Sequence, residues 1–404
     1  MKIAFITYEY PPDTGKGGIG TYTQQIVSFL SSHSFDVHVF AGSHLRNEKI
    51  DEKGFVVHLI KCAGPDDFQN KVLPVFAAEN EIHQFDIVES PEIHANALQI
   101  KISFPHIPLI VRLHAPNHLV ESLKKRYITF FQKTRFFLGA LRRLKWDLGY
   151  WRKYKNENDR DCQFTLNADY ITAPSNAMKD WAERNWNIAS DKISVIPNIF
   201  IPPAQLLNIP ILNEYKYKTI LFFGRLNVLK GLVTATKVMR NILLNYPDWK
   251  FVVVGDDGNS PKKDLTMKHW MMLELKSVHH QVLFHEGVSY DQLPNFIEQS
   301  EIVFLPSLFE SFSYTCAEAM AAGKAVVGSN AGGMSDLIEN GVSGFLVDPE
   351  DENIQIQMLG NLITDNKLRL TISNNARKKI NDKSQIEKQQ ADCLDFYKHI
   401  ISNN

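Results

Sequence analysis

The run Phe309–Gly323, FESFSYTCAEAMAAG, decides the fold prediction through what stands on either side of it. An apolar run, Ile302–Leu305, precedes it and is typical of a buried strand, which a Pro-Ser pair then ends. Ser311 or Ser313 can cap a helix whose alanine-rich body ends at the final glycine. A second apolar run, Ala325–Gly328, follows at once. The order strand, loop, helix, strand predicts a parallel βαβ unit whose loop lies at the carboxyl edge of a sheet.

Two carboxylates flank the start of this predicted helix. A helix N-terminus presents free backbone N–H groups and a positive dipole end, which favour phosphate. Glu318 lies within the first turns, where its carboxylate can accept hydrogen bonds from two ribose hydroxyls, and Glu310 precedes the helix, where a second polyol could lie. The pattern favours a sugar-nucleotide site, and the alternative is an ordinary surface loop with a solvated Glu318.

The same stretch resembles the double-glutamate motif of the family 4 retaining glycosyltransferases. Glu310 and Glu318 enclose seven residues, as that motif requires. The other matching positions are Phe312, Ala317, Ala319, Met320, Gly323, Val326–Gly328, Gly332-Gly333, Asp336–Ile338 and Gly341–Val347. Ser311 and Ser313 stand where the family usually has glycine, and Asp336 stands where it usually has glutamate.

The resemblance implies both a fold and a reaction. It implies an α/β protein with two facing Rossmann-like domains, parallel sheets and an interdomain cleft, known as the GT-B architecture. We expect an N-terminal acceptor-side domain over 1–203, on which a C-terminal helix over 385–404 packs, and a nucleotide-sugar-binding domain over 204–384. The Pro-rich run 202–210 is the expected linker. A retaining transferase of this family needs neither a metal cofactor nor a covalent enzyme nucleophile.

Size and composition agree with that expectation. The chain has 404 residues and 44% hydrophobic residues, which suits two domains. A net charge of −1 gives no reason to expect a nucleic-acid partner. The four cysteines are far apart and lack metal-ligand spacing, as in a reduced cytosolic protein. The first apolar run is too short for a signal peptide, and no stretch has the length of a membrane span, so we expect a cytoplasmic protein.

A glycine-rich loop follows the first predicted strand. Gly15, Gly17 and Gly20 match the dinucleotide fingerprint G-x-G-x-x-G. However, the loop is long, contains Pro11-Pro12, and no acidic residue ends the next strand, so a dehydrogenase is not favoured. The loop instead resembles the one in the family's N-terminal domain, which implies that Gly17 and Gly18 approach the diphosphate and sugar of the donor. A purely structural turn is the alternative.

His114 follows the predicted strand Pro108–Leu113, in the sequence RLHAP. A histidine at the carboxyl end of a strand in an α/β fold is a candidate functional residue, although many histidines are structural. The resemblance implies that His114 contacts the donor sugar.

The second half of the chain supplies candidate donor ligands. In GRLNVLKG, Arg225 ends a predicted strand and Lys230 starts a helix, so the two cations can flank a diphosphate and neutralise a leaving nucleoside diphosphate. Any surface Arg and Lys could share this spacing, but the resemblance implies the same role. It also implies that the backbone near Val288 receives the nucleobase, and we expect Ser313 and Tyr314 to contact the donor. The expected catalytic residues are Glu310, His114, Arg225 and Lys230.

Residues 117–160 form a basic, aromatic segment with helical periodicity. Its apolar positions recur every three or four residues: Leu119, Leu123, Tyr127, Phe130, Phe137, Leu141, Leu144, Leu148 and Trp151. Its cations include Lys124, Lys125, Arg126, Lys133, Arg135, Arg142, Arg143, Lys145, Arg152 and Lys153. Such a segment could lie on the inner face of the cell membrane or hold a lipid-linked acceptor. The alternative is a pair of helices packed on the N-terminal domain.

Metal chemistry finds little support in the sequence. Asp159 and Asp161 form an Asp-x-Asp, but in the basic helical segment and not after a strand, and no His or Cys cluster has ligand spacing. We therefore predict a metal-independent transferase that moves a sugar from a UDP- or GDP-linked donor to a glycan or lipid-linked acceptor, in bacterial cell-surface polysaccharide synthesis. A sugar-nucleotide epimerase on the same fold and a non-catalytic membrane-surface protein are the alternatives.

Overall fold

The computed structural model describes residues 1–404 apart from 16, 53, 145–148, 152–153, 290 and 403–404. The chain divides into two compact units. The first comprises Met1–His118, Tyr154–Phe200 and Ser384–Asn404, and the second comprises Leu119–Lys153 and Ile201–Lys383.

Residues 119–153 group with the second unit and not with the domain predicted over 1–203. Two contacts explain this grouping. The Tyr127 ring packs against the apolar core of the second unit, and the Arg126 guanidinium lies 2.9 Å from the Glu350 carboxylate. Amphipathic periodicity predicts that a helix has a buried face but does not say which core covers it.

The first unit is built on a mostly parallel sheet. Its strands are β1 (Lys2–Thr7), β2 (Asp36–Ser43), β3 (Glu48–Glu52), β4 (Phe55–Lys61), β5 (Ile87–Pro91), β6 (Leu109–Arg112), β7 (Tyr170–Ala173) and β8 (Ile193–Val195). Their order is β3-β4-β2-β1-β5-β6-β7-β8. The polar edge strand β3 runs antiparallel to β4, and the pair was not predicted from the sequence. The chain leaves β1 toward one edge and continues from β5 toward the other, so β1 and β5 flank the switch point.

The second unit is built on a parallel sheet. Its strands are β9 (Thr219–Phe223), β10 (Lys250–Val254), β11 (Val282–His285), β12 (Ile302–Leu305), β13 (Ala325–Ser329) and β14 (Phe345–Val347). Their order, β11-β10-β9-β12-β13-β14, is that of a Rossmann sheet. The β-branched and aromatic residues of β9, β12 and β13 are buried on both faces, as expected for parallel strands covered by helices. The switch point lies between β9 and β12.

Helices connect the strands and cover the sheets. They are α1 (Gly18–Ser32), α2 (Pro65–His83), α3 (Leu98–Ser103), α4 (Asn117–Lys125), α5 (Phe130–Arg142), α6 (Arg160–Leu166), α7 (Asn176–Trp186), α8 (Ala204–Leu207), α9 (Leu232–Asn245), α10 (Met267–Glu274), α11 (Leu293–Glu298), α12 (Tyr314–Ala321), α13 (Met334–Leu337), α14 (Glu352–Thr364), α15 (Asn366–Ile380) and α16 (Lys383–Ser402). Among the described residues, none of these helices is long and apolar enough to span a membrane.

The C-terminal helix α16 belongs to the first unit. The Tyr397 hydroxyl donates to the buried Glu89 carboxylate at 2.5 Å, and the Tyr22 hydroxyl donates to the other carboxylate oxygen at 2.7 Å. Burial raises the pKa of Glu89, and the two hydroxyls and Arg112 oppose that shift. This network attaches residues near the end of the chain to the centre of the first sheet.

Candidate active site

The carboxyl ends of β9 and β12 lie side by side at the switch point of the second sheet, since Ile220 pairs with Ile302 and Leu221 with Val303. In open α/β sheets this is the place where ligands bind. The loop after β9 carries Arg225 and Lys230, and the loop after β12 carries Glu310. Three of the predicted donor ligands therefore follow the two strands that flank the switch point.

The Lys230 ammonium and the Glu310 carboxylate are in direct contact, with 2.5 Å between Nζ and Oε1. The Ser307 hydroxyl donates to the same Oε1 at 2.7 Å. Both charged side chains remain partly accessible, at 27% for Lys230 and 15% for Glu310. The structure thus brings together two of the predicted catalytic residues. Ser307 completes the contact and was missed, because a serine after a strand-ending proline carries no distinctive sequence signal.

Two glycines allow close backbone contacts with the loop after β12: Gly231 beside Lys230, and Gly332 in the loop after β13. Gly231 has a left-handed φ of +69°, and a Cβ there would lie 1.7 Å from the Pro306 carbonyl oxygen. Gly332 has φ +132°, and a Cβ there would lie 2.2 Å from the Glu310 carbonyl oxygen. The same oxygen accepts a hydrogen bond from the Gly333 N–H at 2.6 Å. A side chain at position 231 would push the Lys230 loop away from Pro306, and one at position 332 would push the loop after β13 away from Glu310.

The Arg225 side chain is exposed at the end of β9. Within the described ranges, its guanidinium has no hydrogen-bond or ion-pair partner in the protein. The adjacent backbone is fixed, because the Leu226 N–H donates to the Asp256 carbonyl at 2.8 Å. Arg225 therefore offers its positive charge from a fixed backbone position.

Helix α12 begins where the sequence suggested. Ser313 is its N-cap, with the hydroxyl accepting from the Cys316 N–H at 3.3 Å, and Tyr314 is its first residue. Gly323, with φ +64°, follows the C-cap and donates to the Met320 carbonyl at 2.9 Å. Glu318 lies in the second turn and is buried. The helix start points its first N–H groups toward the carboxyl edge of the sheet, which suits an anion.

The loop after β11, which contains Val288, reaches the same sheet edge. A Cβ on Gly287 would lie 2.1 Å from the Asp256 carboxylate, so this loop packs tightly against the loop after β10. Val288 is half-buried there. Its position is compatible with the predicted backbone contact to a nucleobase.

The glycine-rich loop of the first unit ends at helix α1. Gly17 is the N-cap and lacks a side-chain cap, and Gly18 is the first helical residue and is exposed. The Thr14 hydroxyl contacts the carbonyl oxygens of Tyr8 and Gly42 at 2.6 and 3.0 Å, which holds the loop at the carboxyl end of β1. Because Gly17 and Gly18 have no side chains, another molecule can approach the backbone N–H groups at the start of α1 closely.

His114 follows β6 and is buried. Its ring meets the Tyr22 ring edge-on at 5.2 Å between centroids. Burial lowers the pKa of His114 to about 3, with a smaller contribution from the Arg112 charge, so the imidazole is neutral near pH 7. His114 can therefore exchange hydrogen bonds with a ligand but does not supply a positive charge.

Glu92 anchors this histidine and was missed in the sequence. Its Oε2 accepts the backbone N–H of His114 at 2.9 Å, and the side chain is fully buried at the end of β5. Burial, and then the Asp161 charge, raise the pKa of Glu92 to about 8. The sequence feature that could have identified Glu92 is its position directly after the buried strand β5.

The Asp-x-Asp residues bind the protein's own backbone. Asp159 caps α6 by accepting the Asp161 and Cys162 N–H groups, and Asp161 accepts the N–H groups of His94 and Asn117. These hydrogen bonds give both carboxylates a structural role.

The basic segment forms α4 and α5 and not one continuous helix. In α5, Phe130 and Phe131 are 75% and 72% exposed, and Leu138 is also exposed. Among the predicted positions, Lys145, Leu148, Arg152 and Lys153 lie outside the described residues.

Family models match both halves of the chain. The model for glycosyl transferases group 1 matches residues 208–379, and the model for glycosyltransferase family 4 matches residues 16–200. An uncharacterized glycosyltransferase of Methanocaldococcus jannaschii is 24% identical over 98% of each chain. A D-inositol 3-phosphate glycosyltransferase of Corynebacterium urealyticum is 26% identical over 92% of this chain and 90% of its own length. A lipopolysaccharide 1,2-N-acetylglucosaminetransferase of Salmonella typhimurium is 29% identical over 48% of this chain and 53% of its own length.

Solved structures share the fold over the whole chain. Sucrose-phosphate synthase from Thermosynechococcus elongatus has a TM-score of 0.77 and 17% identity, with full coverage of both chains. Anabaena HepE, solved in complex with UDP-glucose, has a TM-score of 0.65 and 18% identity, covering 98% of this chain and 99% of its own. The predicted α/β class with two Rossmann-like sheets of the GT-B type is confirmed. Since the two family models together account for most of its length, the chain belongs to the family 4 glycosyltransferases.

Proposed function

We propose that this glycosyltransferase moves a sugar from a UDP- or GDP-linked donor to a glycan or lipid-linked acceptor with retention of configuration and without a metal cofactor. The observation that carries the proposal is the Lys230–Glu310 contact at the switch point of the second sheet, together with the exposed Arg225 guanidinium at the end of β9, which has no protein partner among the described residues. Two cations, Arg225 and the Lys230 that Glu310 holds in place, suit a diphosphate, because they can stabilise the negative charge that develops on the phosphate oxygen as it leaves.

Each side chain then has a role that its position supports. Arg225 and Lys230 bind the diphosphate, assisted by the N–H groups at the start of α12, where Ser313 and Tyr314 lie. The buried Glu318 accepts the ribose hydroxyls, and the backbone at Val288 receives the base. Lys230 is held by Glu310 before the donor arrives, so little ordering of its flexible side chain is left for the binding step.

The remaining roles concern the sugar. Glu310 accepts a hydrogen bond from a sugar hydroxyl through the carboxylate oxygen that Ser307 and Lys230 leave available. His114, as a neutral imidazole, hydrogen-bonds the sugar without opposing the positive charge that develops at its C1 carbon. Gly17 and Gly18 allow the backbone to approach the donor.

The reaction requires no covalent bond to the enzyme. The bond between C1 and the phosphate oxygen breaks, and the acceptor oxygen forms its bond to C1 on the same face of the sugar. The acceptor hydroxyl gives its proton to the departing phosphate oxygen, whose charge Arg225 and Lys230 stabilise. Positioning and electrostatic stabilisation then account for the rate enhancement.

The relatives support the choice of donor and pathway. HepE was solved with UDP-glucose, and the Salmonella relative acts on lipopolysaccharide by its name. We therefore favour a UDP-sugar donor and a bacterial cell-surface glycan acceptor. The cytoplasm is the compartment in which such donors are available.

Thermal stabilisation in excess EDTA tests the donor site. At about a hundred times its dissociation constant, a bound nucleotide adds roughly 2.7 kcal/mol to the stability of the folded protein. We expect UDP or GDP, but not NAD, to raise the melting temperature. No shift with any nucleoside diphosphate, or a shift only after divalent metal is added, would overturn the proposed donor site.

Replacement of Arg225 tests the catalytic role. We expect Arg225→Ala to lower kcat for sugar transfer by about 10²–10³-fold, because one preorganised charge at the leaving group is lost. Arg240→Ala, which removes an exposed arginine from α9 of the same unit, is the matched control. Equal transfer by wild type and Arg225→Ala would refute the assignment, and the anomeric configuration of the product tests retention directly.

The exposed face of α5 supports a second proposal, contact with an anionic membrane. Phe131, Arg135, Leu138 and Arg142 recur at helical spacing and are exposed, which combines apolar and cationic groups on one face. Phe130 lies beside them. Such a face binds lipid through burial of apolar side chains and attraction to acidic headgroups.

Vesicle sedimentation tests this contact. Replacing Phe130 and Phe131 together by serine is expected to weaken binding to vesicles with about one-third anionic lipid by at least about tenfold. Leu244→Ser removes an exposed leucine from α9 and is the control. Unchanged binding in the double variant, or wild-type binding that is equal on neutral vesicles, would contradict the proposal.

A further inference from the structure

A cluster of histidines and carboxylates lies in the first unit, away from the predicted donor ligands. His38 belongs to β2, His58 to β4, and Glu79 and His83 to α2. His38 is level with Val56 in the parallel pairing of β2 and β4, so His38 and His58 lie on the same face of adjacent strands. His38, His58 and Glu79 are about twenty positions apart, so their spacing does not reveal the cluster, whereas Glu79 and His83 lie on neighbouring turns of α2.

The distances fit a metal-binding trio. One ligand atom each from His38, His58 and Glu79 lie within 4.8 Å of one another. The Nδ1 of His38 is 3.0 Å from the Nε2 of His58. Two imidazole nitrogens on one tetrahedral zinc ion are about 3.3 Å apart, given bond lengths near 2.0–2.1 Å. A metal ion would therefore replace the hydrogen bond that the two rings share, at a similar separation of the nitrogens.

The protonation states favour binding. Burial, and then the His83 charge, lower the pKa of His38, and burial lowers the pKa of His58 to about 4. Both rings are therefore neutral near pH 7, which is the form that ligates metals. Glu79 remains a carboxylate, with its pKa lowered by Lys49 and His58 against the effect of burial.

Among the described residues, the other titratable groups around the trio are Lys49, Asp36 and His83, whose Nε2 lies 3.4 Å from the Glu79 carboxylate. The Lys49 ammonium of β3 lies 3.0 Å from the Glu79 carboxylate and occupies it in place of a metal. About half of the Lys49 side chain is exposed, so it can turn to solvent. Asp36 lies 3.5 Å from the Nε2 of His38, on the other side of that ring, and forms an alternative trio with His38 and His83.

A metal ion has a route to this position. A surface groove of about 920 Å³ is lined by Lys49, His58 and Glu79 among other residues. The cluster itself lies toward the amino edge of the first sheet, since Lys2 at the start of β1 donates to the His83 carbonyl at 2.5 Å. The edge with His114 and Gly17 is the opposite one, so a metal here would act on the fold and not on sugar transfer.

We propose that His38, His58 and Glu79 bind one divalent transition-metal ion, with zinc the best match to two imidazoles and a carboxylate. Water or the nearby His83 completes the coordination. Zinc, copper and nickel all accept this donor set, whereas magnesium and calcium prefer oxygen alone. The ion would tie β2, β4 and α2 together at the edge of the first sheet.

The test uses tag-free, EDTA-treated full-length protein, zinc sulfate and a zinc-competing dye. We expect one zinc ion per chain, measured by elemental analysis after desalting, and a higher melting temperature with zinc. His58→Gln and Glu79→Gln should each weaken zinc binding by at least about 100-fold. Loss of a residue that only orients a metal ligand already costs up to about 100-fold in affinity, and loss of the ligand itself should cost no less. Replacing His279 and His280 together, two exposed histidines of the second unit, should leave affinity and stoichiometry unchanged.

Lys49→Met distinguishes metal binding from a merely structural role of the cluster. Removal of the competing ammonium should tighten zinc binding, by about tenfold or more, even though it removes an ion pair. The proposal is overturned if the wild type retains no stoichiometric zinc, if Glu79→Gln binds zinc as wild type does, or if Lys49→Met weakens binding. Glu79 and Lys49 are partly accessible, so these two variants give an answer even if His58→Gln does not fold.

Discussion

Glu92→Gln should make the stability of the first unit less dependent on pH. Glu92 is fully buried, and burial raises its pKa to about 8 from an ordinary value of 4.5. The folded protein therefore holds a proton on Glu92 throughout the range from pH 4.5 to 8, in which the unfolded chain releases it. A raised carboxyl pKa of this kind lowers the free energy of unfolding as the pH rises through that range.

The size of the effect follows from the two pKa values. Between them, the free energy of unfolding falls by about 1.36 kcal/mol per pH unit for one proton. From pH 5.5 to 7.0 the loss is about 2 kcal/mol. Glutamine keeps an oxygen that can accept the His114 N–H but does not titrate, so the variant escapes this loss.

Calorimetry at a series of pH values measures the difference. For a unit of this size, 1 kcal/mol corresponds to about 2–4 °C in Tm, so Glu92→Gln should gain roughly 4–8 °C relative to wild type between pH 5.5 and 7.0. Contributions from His38, His58 and His114 occur in both proteins and cancel. Glu157→Gln, an exposed carboxylate of the same unit, is the control. A Tm difference that stays constant, or falls as the pH rises, would refute a protonated Glu92.

The remaining predictions concern the second unit. A double-mutant cycle of Lys230→Met and Glu310→Gln should give a coupling of about 1–3 kcal/mol in unfolding free energy, since the pair is in contact and partly buried, and additive effects would contradict this. Gly231→Ala should destabilise the unit by at least about 2 kcal/mol more than Gly341→Ala. Both glycines adopt positive φ, but only a Cβ at position 231 would strike a neighbouring atom. Equal melting temperatures of the two variants would disprove the clash. Glu318→Gln should reduce the Tm shift produced by a nucleoside diphosphate while leaving the unliganded Tm within a few degrees, and an undiminished shift would exclude a ribose contact.

Much of the fold could be predicted from local patterns. The βαβ unit around α12 was readable because apolar strands, a serine cap and a terminal glycine act within a few residues of one another. The apolar periodicity of residues 91–102 is that of a single helix, but His94 and Ala95 adopt positive φ and divide the stretch into a short turn and α3. Strand β3 was missed because its sequence, EKIDE, is polar and only its pairing with β4 makes it a strand.

The site could be predicted only where residue type and position coincide. Arg225 and Lys230 were recognisable at a strand end and a helix start, and the structure places both at the switch point. Long-range contacts leave no such mark, which is why the Ser307–Glu310 hydrogen bond and the anchoring of His114 by Glu92 were missed. Linker 202–210 likewise contains the short helix α8, which a Pro-rich composition does not announce.

The hydroxyl contacts on Glu89 determine how late in synthesis the first unit can be completed. Every strand of the first sheet has been translated by Val195, but one of the two hydroxyls that satisfy the buried Glu89 belongs to Tyr397. About 200 further residues must be made first, which takes roughly 10–40 s at ordinary ribosomal rates. During that interval the nascent first unit lacks one of the two hydroxyls that bind Glu89, and the second unit can fold before the first is complete. Fusing α16 ahead of Met1 would remove this delay and leave residues 119–153 as the one segment that interrupts the first unit.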